Sequence, residues 1–253
     1  MKSRPEAKCR VVVAAHRPYA MPADPVYLPL QVGAAGKPGL GYVRDDTGGN
    51  ISARNANWCE LTGLYWAWRN LPADSLGLVH YRRHFKGRNG IATGGEIVQA
   101  LEGVDALLPR ERSYFIETNY SQYAHAHHAV DLDVTRQVVA AHSPAYLPAF
   151  DEVMKLTHGH RFNMFVMRKP ALDAYCSWLF DILFELERRL DISSYSPYDA
   201  RVFGFVSERL LDVWVKVNGI RYRELPVLNL ESQRWPVKIL RFLCRKFLRA
   251  VVI

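Results

Sequence analysis

Four clusters of side chains combine residue types and spacings that could do chemistry. The first, Arg44-Asp45-Asp46-Thr47-Gly48-Gly49-Asn50-Ile51-Ser52, sets two carboxylates, two glycines and cap-forming residues after a short strand signal. At the mouth of a sheet, such carboxylates and free backbone N–H groups meet small-molecule ligands. The same residues also make an ordinary capped turn. The second, His80-Tyr81-Arg82-Arg83-His84-Phe85, closes the apolar run Ser75–Tyr81. Arginine forks grip phosphate oxygens bidentately, so this block points to a diphosphate. The third is His125-Ala126-His127-His128-Ala129-Val130-Asp131. A zinc or iron site fails on spacing: Ala129 and Val130 stand where H-x-H-x-D-H needs Asp and His, and Tyr81 stands between His80 and His84 where H-E-x-x-H needs Glu. No metal ligands are assigned. Asp131 is read as a general base or, with His128, as a partner for sugar hydroxyls. The fourth cluster joins Phe162–Met167, where Asn163 interrupts an apolar strand and needs a partner, to Arg201–Leu210. There Arg201 and Glu208, seven residues apart, share a helix face, and Glu208 is the second candidate base or else an ion-pair partner of Arg201 or Arg209.

The elements that must position these groups alternate between strand and helix. Arg10–Ala15 is a β-branched buried-strand run, followed by a Pro-rich loop through Pro29, and Gly41–Arg44 is a second short strand. Trp58, Leu61, Leu64, Tyr65 and Trp68 recur at three- and four-residue steps, so Ile51–Asn70 reads as one amphipathic helix stopped by Leu71-Pro72. Strands are expected at Ser75–Tyr81, Asp105–Leu108, Phe162–Met167 and Tyr222–Leu228. Helices are expected at Gly94-Gly95 onward, in two pieces over Asn119–Ala141, and at Ala145–Leu156, Pro170–Leu190 and Asp199–Val217. This order predicts one α/β domain with a mostly parallel sheet over residues 8–231.

Composition narrows the function classes. The 253 residues are 49% hydrophobic and 23% charged, which excludes general disorder, and the net charge of +8 suggests an anionic partner. Six of those charges (Arg234, Lys238, Arg241, Arg245, Lys246 and Arg249) fall in residues 232–253 without any acid, leaving +2 for the rest. With Leu240, Phe247 and Leu248 mostly on the other side, this stretch predicts an amphipathic helix of about 25 Å lying on an anionic membrane. The basic residues do not interleave with rings as in nucleic-acid modules, so nucleic acid is not the expected partner. Four cysteines without C-x-x-C spacing argue against a zinc ribbon or disulfide scaffold, and no signal peptide or spanning run is read. The expected location is cytoplasmic, peripheral on the inner face of the cytoplasmic membrane.

Three blocks then carry a resemblance: D-x-T-G-x-N-I-S-x-x-N through Asn55, C-E-L-T-G-L-Y-W-A-W from Cys59 to Trp68, and G-L-V-H-Y-R-R-x-F from Gly77 to Phe85. With Phe162–Arg168, Tyr175–Phe180 and Arg201–Leu211, they resemble the bacterial family called domain of unknown function 4422 over roughly residues 8–230. Its members are usually described as capsular or exopolysaccharide glycosyltransferases. The resemblance implies a GT-A-like (Rossmann-like) fold, a UDP-sugar donor (galactofuranose in some relatives) and a glycan or lipid-linked glycan acceptor in capsule, exopolysaccharide or O-antigen synthesis. It implies donor contacts from Asp45, Asp46, Asn50, Ser52, Asn55, His80, Tyr81, Arg82 and Arg83, and acceptor contacts from His127, His128, Asn163 and Arg201. The family of folds usually closes this strand with D-x-D carboxylates that hold a divalent metal (Mn or Mg). Here His80-Tyr81-Arg82 stands there, so arginines supply the positive charge and metal dependence stays open. The implied chemistry is inverting transfer, with Asp131 or Glu208 as base and Arg82 and Arg83 on the leaving diphosphate. The alternatives are a non-catalytic glycan-binding or scaffold protein of a polysaccharide complex and, less favoured, a nucleic-acid-binding protein.

Overall fold

The computed structural model describes residues 8–231, and the amphipathic helix expected over 232–253 lies outside the described residues. The strands run β1 (Cys9–Ala15), β2 (Tyr27–Gln31), β3 (Val43–Arg44), β4 (Ser75–His80), β5 (Arg83–Gly87), β6 (Gly90–Ile91), β7 (Ala106–Pro109), β8 (Arg112–Ser113), β9 (His158–Gly159), β10 (Phe165–Arg168), β11 (Tyr222–Leu225) and β12 (Val227–Asn229). The helices are α1 (Asn55–Trp58), α2 (Leu61–Asn70), α3 (Gly94–Ala100), α4 (Asn119–Ala126), α5 (Ala129–His142), α6 (Leu147–Lys155), α7 (Lys169–Arg189) and α8 (Val202–Val217).

The main sheet has the order β11-β7-β10-β4-β1-β2-β3. Every neighbouring pair in it is parallel except at β10, which runs against both β4 and β7. The expected mixed α/β architecture with a mostly parallel sheet is therefore the one observed. Period-two alternation divides the strands between two cores. Val12, Ala14, Leu76, Leu78, Phe165 and Met167 point to the face covered by α2 and α5–α8, and Val11, Val13, Ala15, Val79 and Val166 to the face carrying α3. A β-carbon on Gly77 would lie 2.7 Å from Val166 Cγ2 and 2.9 Å from the Phe165 carbonyl, so glycine is what lets β10 close on β4.

Three expectations change. Residues 27–31, read as part of a Pro-rich loop, form β2, with Pro29 paired to Val13. The expected single helix 51–70 breaks at Cys59, whose φ of +52° ends α1. The expected strand 162–167 begins only at Phe165, because Phe162 and Asn163 have φ of +81° and +47°.

Within β5, His84 is fully buried and packs edge-on to Tyr27 at 5.5 Å between ring centres. Burial pushes its pKa from 6.5 down to about 4, with the Tyr81 backbone offsetting a little. Above pH 6.5 the ring is neutral folded and unfolded, so folding displaces no proton from it. As pH falls from 6.5 towards 4, only the unfolded chain gains the proton, and about 3 kcal/mol of stability is lost. Urea titrations at about pH 7 and pH 4.5 should show this fall shrinking by roughly 2–3 kcal/mol in a His84→Phe variant. An equal fall in both chains would remove His84 as its source.

Candidate active site

The register Ala14↔His80 between β1 and β4 brings two strand ends together, so His16-Arg17 and His80-Tyr81-Arg82 enter one cleft. That first cleft has a volume of about 450 Å³, and Asn55, Cys59, Glu60 and Arg201 close its other walls. Arg17 and Arg82 stack over the Tyr81 ring at 5.3 and 5.2 Å. Both also face the Glu231 carboxylate, at 2.8 and 3.3 Å. Arg82 Nε is buried with no hydrogen-bond partner. Burial and then the charge of Arg82 and Arg83 push the His80 pKa down to about 3, and burial and Arg17 lower that of His16. Neutral imidazoles beside guanidinium groups thus define this end, a setting suited to a polyanion.

A second cleft of about 300 Å³ shares Cys59, Glu60, His80, Arg82 and Arg201 with the first and adds Arg83, Tyr114, His127, Tyr198, Phe205, Glu208 and Arg209. Its floor is aromatic: His127 stacks on Phe205 at 4.2 Å and on Tyr198 at 5.6 Å. Such faces suit the C–H side of a sugar ring. Glu60 occupies the wall common to both clefts. The left-handed turn at Cys59 puts it at the head of α2. The second left-handed pair, Phe162-Asn163, aims Asn163 at it: Nδ2 donates to Glu60 Oε1 at 2.8 Å, while Ser207 Oγ donates to Asn163 Oδ1 at 2.8 Å. Burial raises the Glu60 pKa, the Asn163 hydrogen bond opposes this, and the charge of Glu208 adds to it.

The structure brings together only part of the expected set. Asn55, His80, Tyr81, Arg82 and Arg201 line the first cleft; Arg83, His127 and Glu208 line the second. Asp131 lines neither. It is fully buried, its two oxygens accept hydrogen bonds from Tyr123 and Tyr195 hydroxyls at 2.7 Å, and no path to a substrate hydroxyl is left for a base there. Asp45 is likewise enclosed, accepting from the Gly33 and Ala34 N–H groups and from the Ser52 and Thr62 hydroxyls. Ser52 spends its hydroxyl on that bond. Asp46 forms a fork with Arg44, and Asn50 braces the Gly48–Ser52 turn. These four brace the loop and line neither cleft. His128 stacks on Tyr195 outside both linings, and Asn163 acts through Glu60.

Glu60, His16 and Arg17 were not singled out from the sequence. His16-Arg17 had a readable signal, since it follows β1 as His80-Tyr81 follows β4. Glu60 had none, because nothing in Trp58-Cys59-Glu60-Leu61 announces a left-handed cysteine.

Among the described residues, Glu111, His160 and Glu224 also bring ligand-type atoms within 4.8 Å of one another, outside both clefts. Burial opposes protonation of His160, but its hydrogen bond to Asp212 and the surrounding carboxylates outweigh it and raise its pKa.

The family model for DUF4422, a domain of unknown function, matches residues 10–219. The chain belongs to this family. No curated protein matches it. Among solved structures, the DUF4422 chain is similar to the WbbM bifunctional glycosyltransferase in its apo form, with 29% sequence identity and a TM-score of 0.83. The match covers 89% of this chain and 46% of that one, so the DUF4422 chain spans less than half of WbbM.

Proposed function

We propose that this DUF4422 chain is a glycosyltransferase that moves a sugar from a UDP-linked donor to a lipid-linked glycan in surface-polysaccharide assembly, with inversion at the anomeric carbon. Galactofuranose is the donor sugar to test first. The observation that carries this reading is the wall shared by the two clefts, where Glu60 stands between a guanidinium-lined pocket and an aromatic-floored one. The likeness to a glycosyltransferase supports it.

In this reading the diphosphate lies in the first cleft on Arg17, Arg82 and Arg201, replacing the chain's own Glu231 carboxylate. The acceptor ring lies on His127 and Phe205. Its hydroxyl attacks the anomeric carbon, Glu60 takes the hydroxyl proton, and the bond to the diphosphate breaks as the arginines stabilise the charge that leaves. Glu208, which lines only the second cleft, binds an acceptor hydroxyl. The residues of the first cleft do not fit a divalent cation: one carboxylate, Glu60, faces three arginines, and a metal ion would meet net positive charge. No step is assigned to one.

A calorimetric titration with UDP in the presence of EDTA tests the donor site. The wild-type chain should bind, and Arg82→Ala should bind about tenfold or more weakly, as expected for the loss of a charge-assisted hydrogen bond. Equal affinity in the two chains would remove Arg82 from the donor site.

A further inference from the structure

Between β8 and α4 the chain turns through Tyr114-Phe115-Ile116-Glu117. Phe115 is 86% exposed and Ile116 74%, the two most exposed large apolar side chains among the described residues. Phe115 has a φ of +59°, a left-handed conformation that a bulky side chain rarely adopts. The turn is nevertheless pinned. Tyr114 N donates to the Thr157 carbonyl at 2.7 Å, Ile116 N to the Tyr114 carbonyl at 2.7 Å, and Phe115 N to Ser113 Oγ at 3.2 Å. The Tyr114 ring is held beneath the Arg161 guanidinium at 5.1 Å. A hydrogen-bonded, strained frame therefore keeps two apolar side chains in water, which is the mark of a surface kept for a partner.

The nature of that partner follows from size and charge. Two side chains cover far less than the roughly 800 Å² per partner of a stable protein interface, whereas entry into a bilayer needs no matching surface. The exposed Arg110 and Arg112 lead into the tip, and the acid between them, Glu111, is already engaged with His158 at 2.6 Å. Tyr114, at the base of the tip, lines the second cleft.

We infer that residues 110–116 form an interfacial tip that seats in an anionic bilayer, with Phe115 and Ile116 among the acyl chains and Arg110 and Arg112 at the headgroups, so that the second cleft opens at the membrane surface. This contact is separate from the basic tail expected to lie on the same membrane.

The test uses the full chain and vesicles of phosphatidylcholine and phosphatidylglycerol in equal parts. A Phe115→Trp variant should show, relative to wild type, an added emission component that shifts to the blue on vesicles and is quenched by brominated acyl chains. A Phe115→Ser/Ile116→Ser variant, with an unchanged melting temperature, should partition roughly tenfold more weakly. Added emission that stays unquenched while the protein sediments with vesicles would overturn the tip, leaving binding to the tail alone. So would a self-association abolished by the double substitution together with unchanged vesicle partition, because the patch would then be covered by a second copy. None of these readouts needs a donor or turnover, so their outcome is separable from that of the UDP titration.

Discussion

Glu60→Gln should lower kcat by about a thousandfold while changing UDP affinity by no more than about twofold. Glutamine keeps the shape and can still meet Asn163, but it cannot take a proton. The location of Glu60 is what makes the effect large. It stands in the wall common to both clefts, where the anomeric carbon of a donor held by Arg82 and the hydroxyl of an acceptor resting on Phe205 would meet. Its raised pKa makes it a stronger base than an exposed glutamate. The rate should therefore fall on the acid side of a pH profile with an apparent pKa above the usual 4.5 for this group. Asn163→Ala, which removes the donor that steadies the carboxylate, should move that apparent pKa further up, because the hydrogen bond to Asn163 favours the ionised form. Glu208→Gln is the comparison. As an acceptor contact it should raise the acceptor KM more than it lowers kcat. If Glu208→Gln lost the thousandfold and Glu60→Gln did not, the roles of the two carboxylates would be exchanged.

How much of this was legible in the sequence depended on whether a signal was local. β1, β4 and β7 read correctly because strands buried on both faces in a mostly parallel sheet are continuous apolar runs bounded by polar residues. β2 did not, because Pro22, Pro25 and Pro29 are loop punctuation to any local reading, and only pairing with both β1 and β3 overrides them. The place of His80-Tyr81-Arg82 in a cleft lining was readable from a buried strand ending in arginines. Glu60 was hidden inside an amphipathic pattern that Cys59 interrupts with a backbone conformation no residue type there demands. Asp131 and Asp45 show the opposite failure. Their residue type suggested chemistry, yet a carboxylate facing a ligand and one facing the chain's own donors look identical until burial is known.

Asp45→Ala should cost the fold about 4 kcal/mol or more, the largest stability effect expected of any single substitution in this loop. The fully buried carboxylate accepts four hydrogen bonds: Gly33 N and Ala34 N at 2.9 Å, Thr62 Oγ1 at 2.7 Å and Ser52 Oγ. It therefore ties the loop after β2 to the turn before α1 and to the first turn of α2. Alanine would orphan two buried N–H groups and the Ser52 hydroxyl at once, leaving the Thr62 hydroxyl only the Cys59 carbonyl at 3.2 Å, and each unsatisfied group costs about 1–3 kcal/mol before any relaxation. The Asp45→Asn substitution would be only a partial remedy, since an amide presents one acceptor oxygen and turns its NH2 group towards other donors. Ser52→Ala and Thr62→Ala, which each remove one partner and leave the carboxylate otherwise held, should cost about 1 kcal/mol apiece. Gly33 (φ +61°) lies against the Asn55 side chain, where a β-carbon would fall 2.4 Å from Oδ1, and Asn55 lines the first cleft. The two roles of Asp45 separate cleanly in urea unfolding and UDP calorimetry on the same variant. An anchor predicts a lower unfolding midpoint for Asp45→Ala, with UDP affinity recovered in the fraction that remains folded. A donor contact predicts an unchanged midpoint and lost UDP binding, and that pattern would return Asp45 to the site.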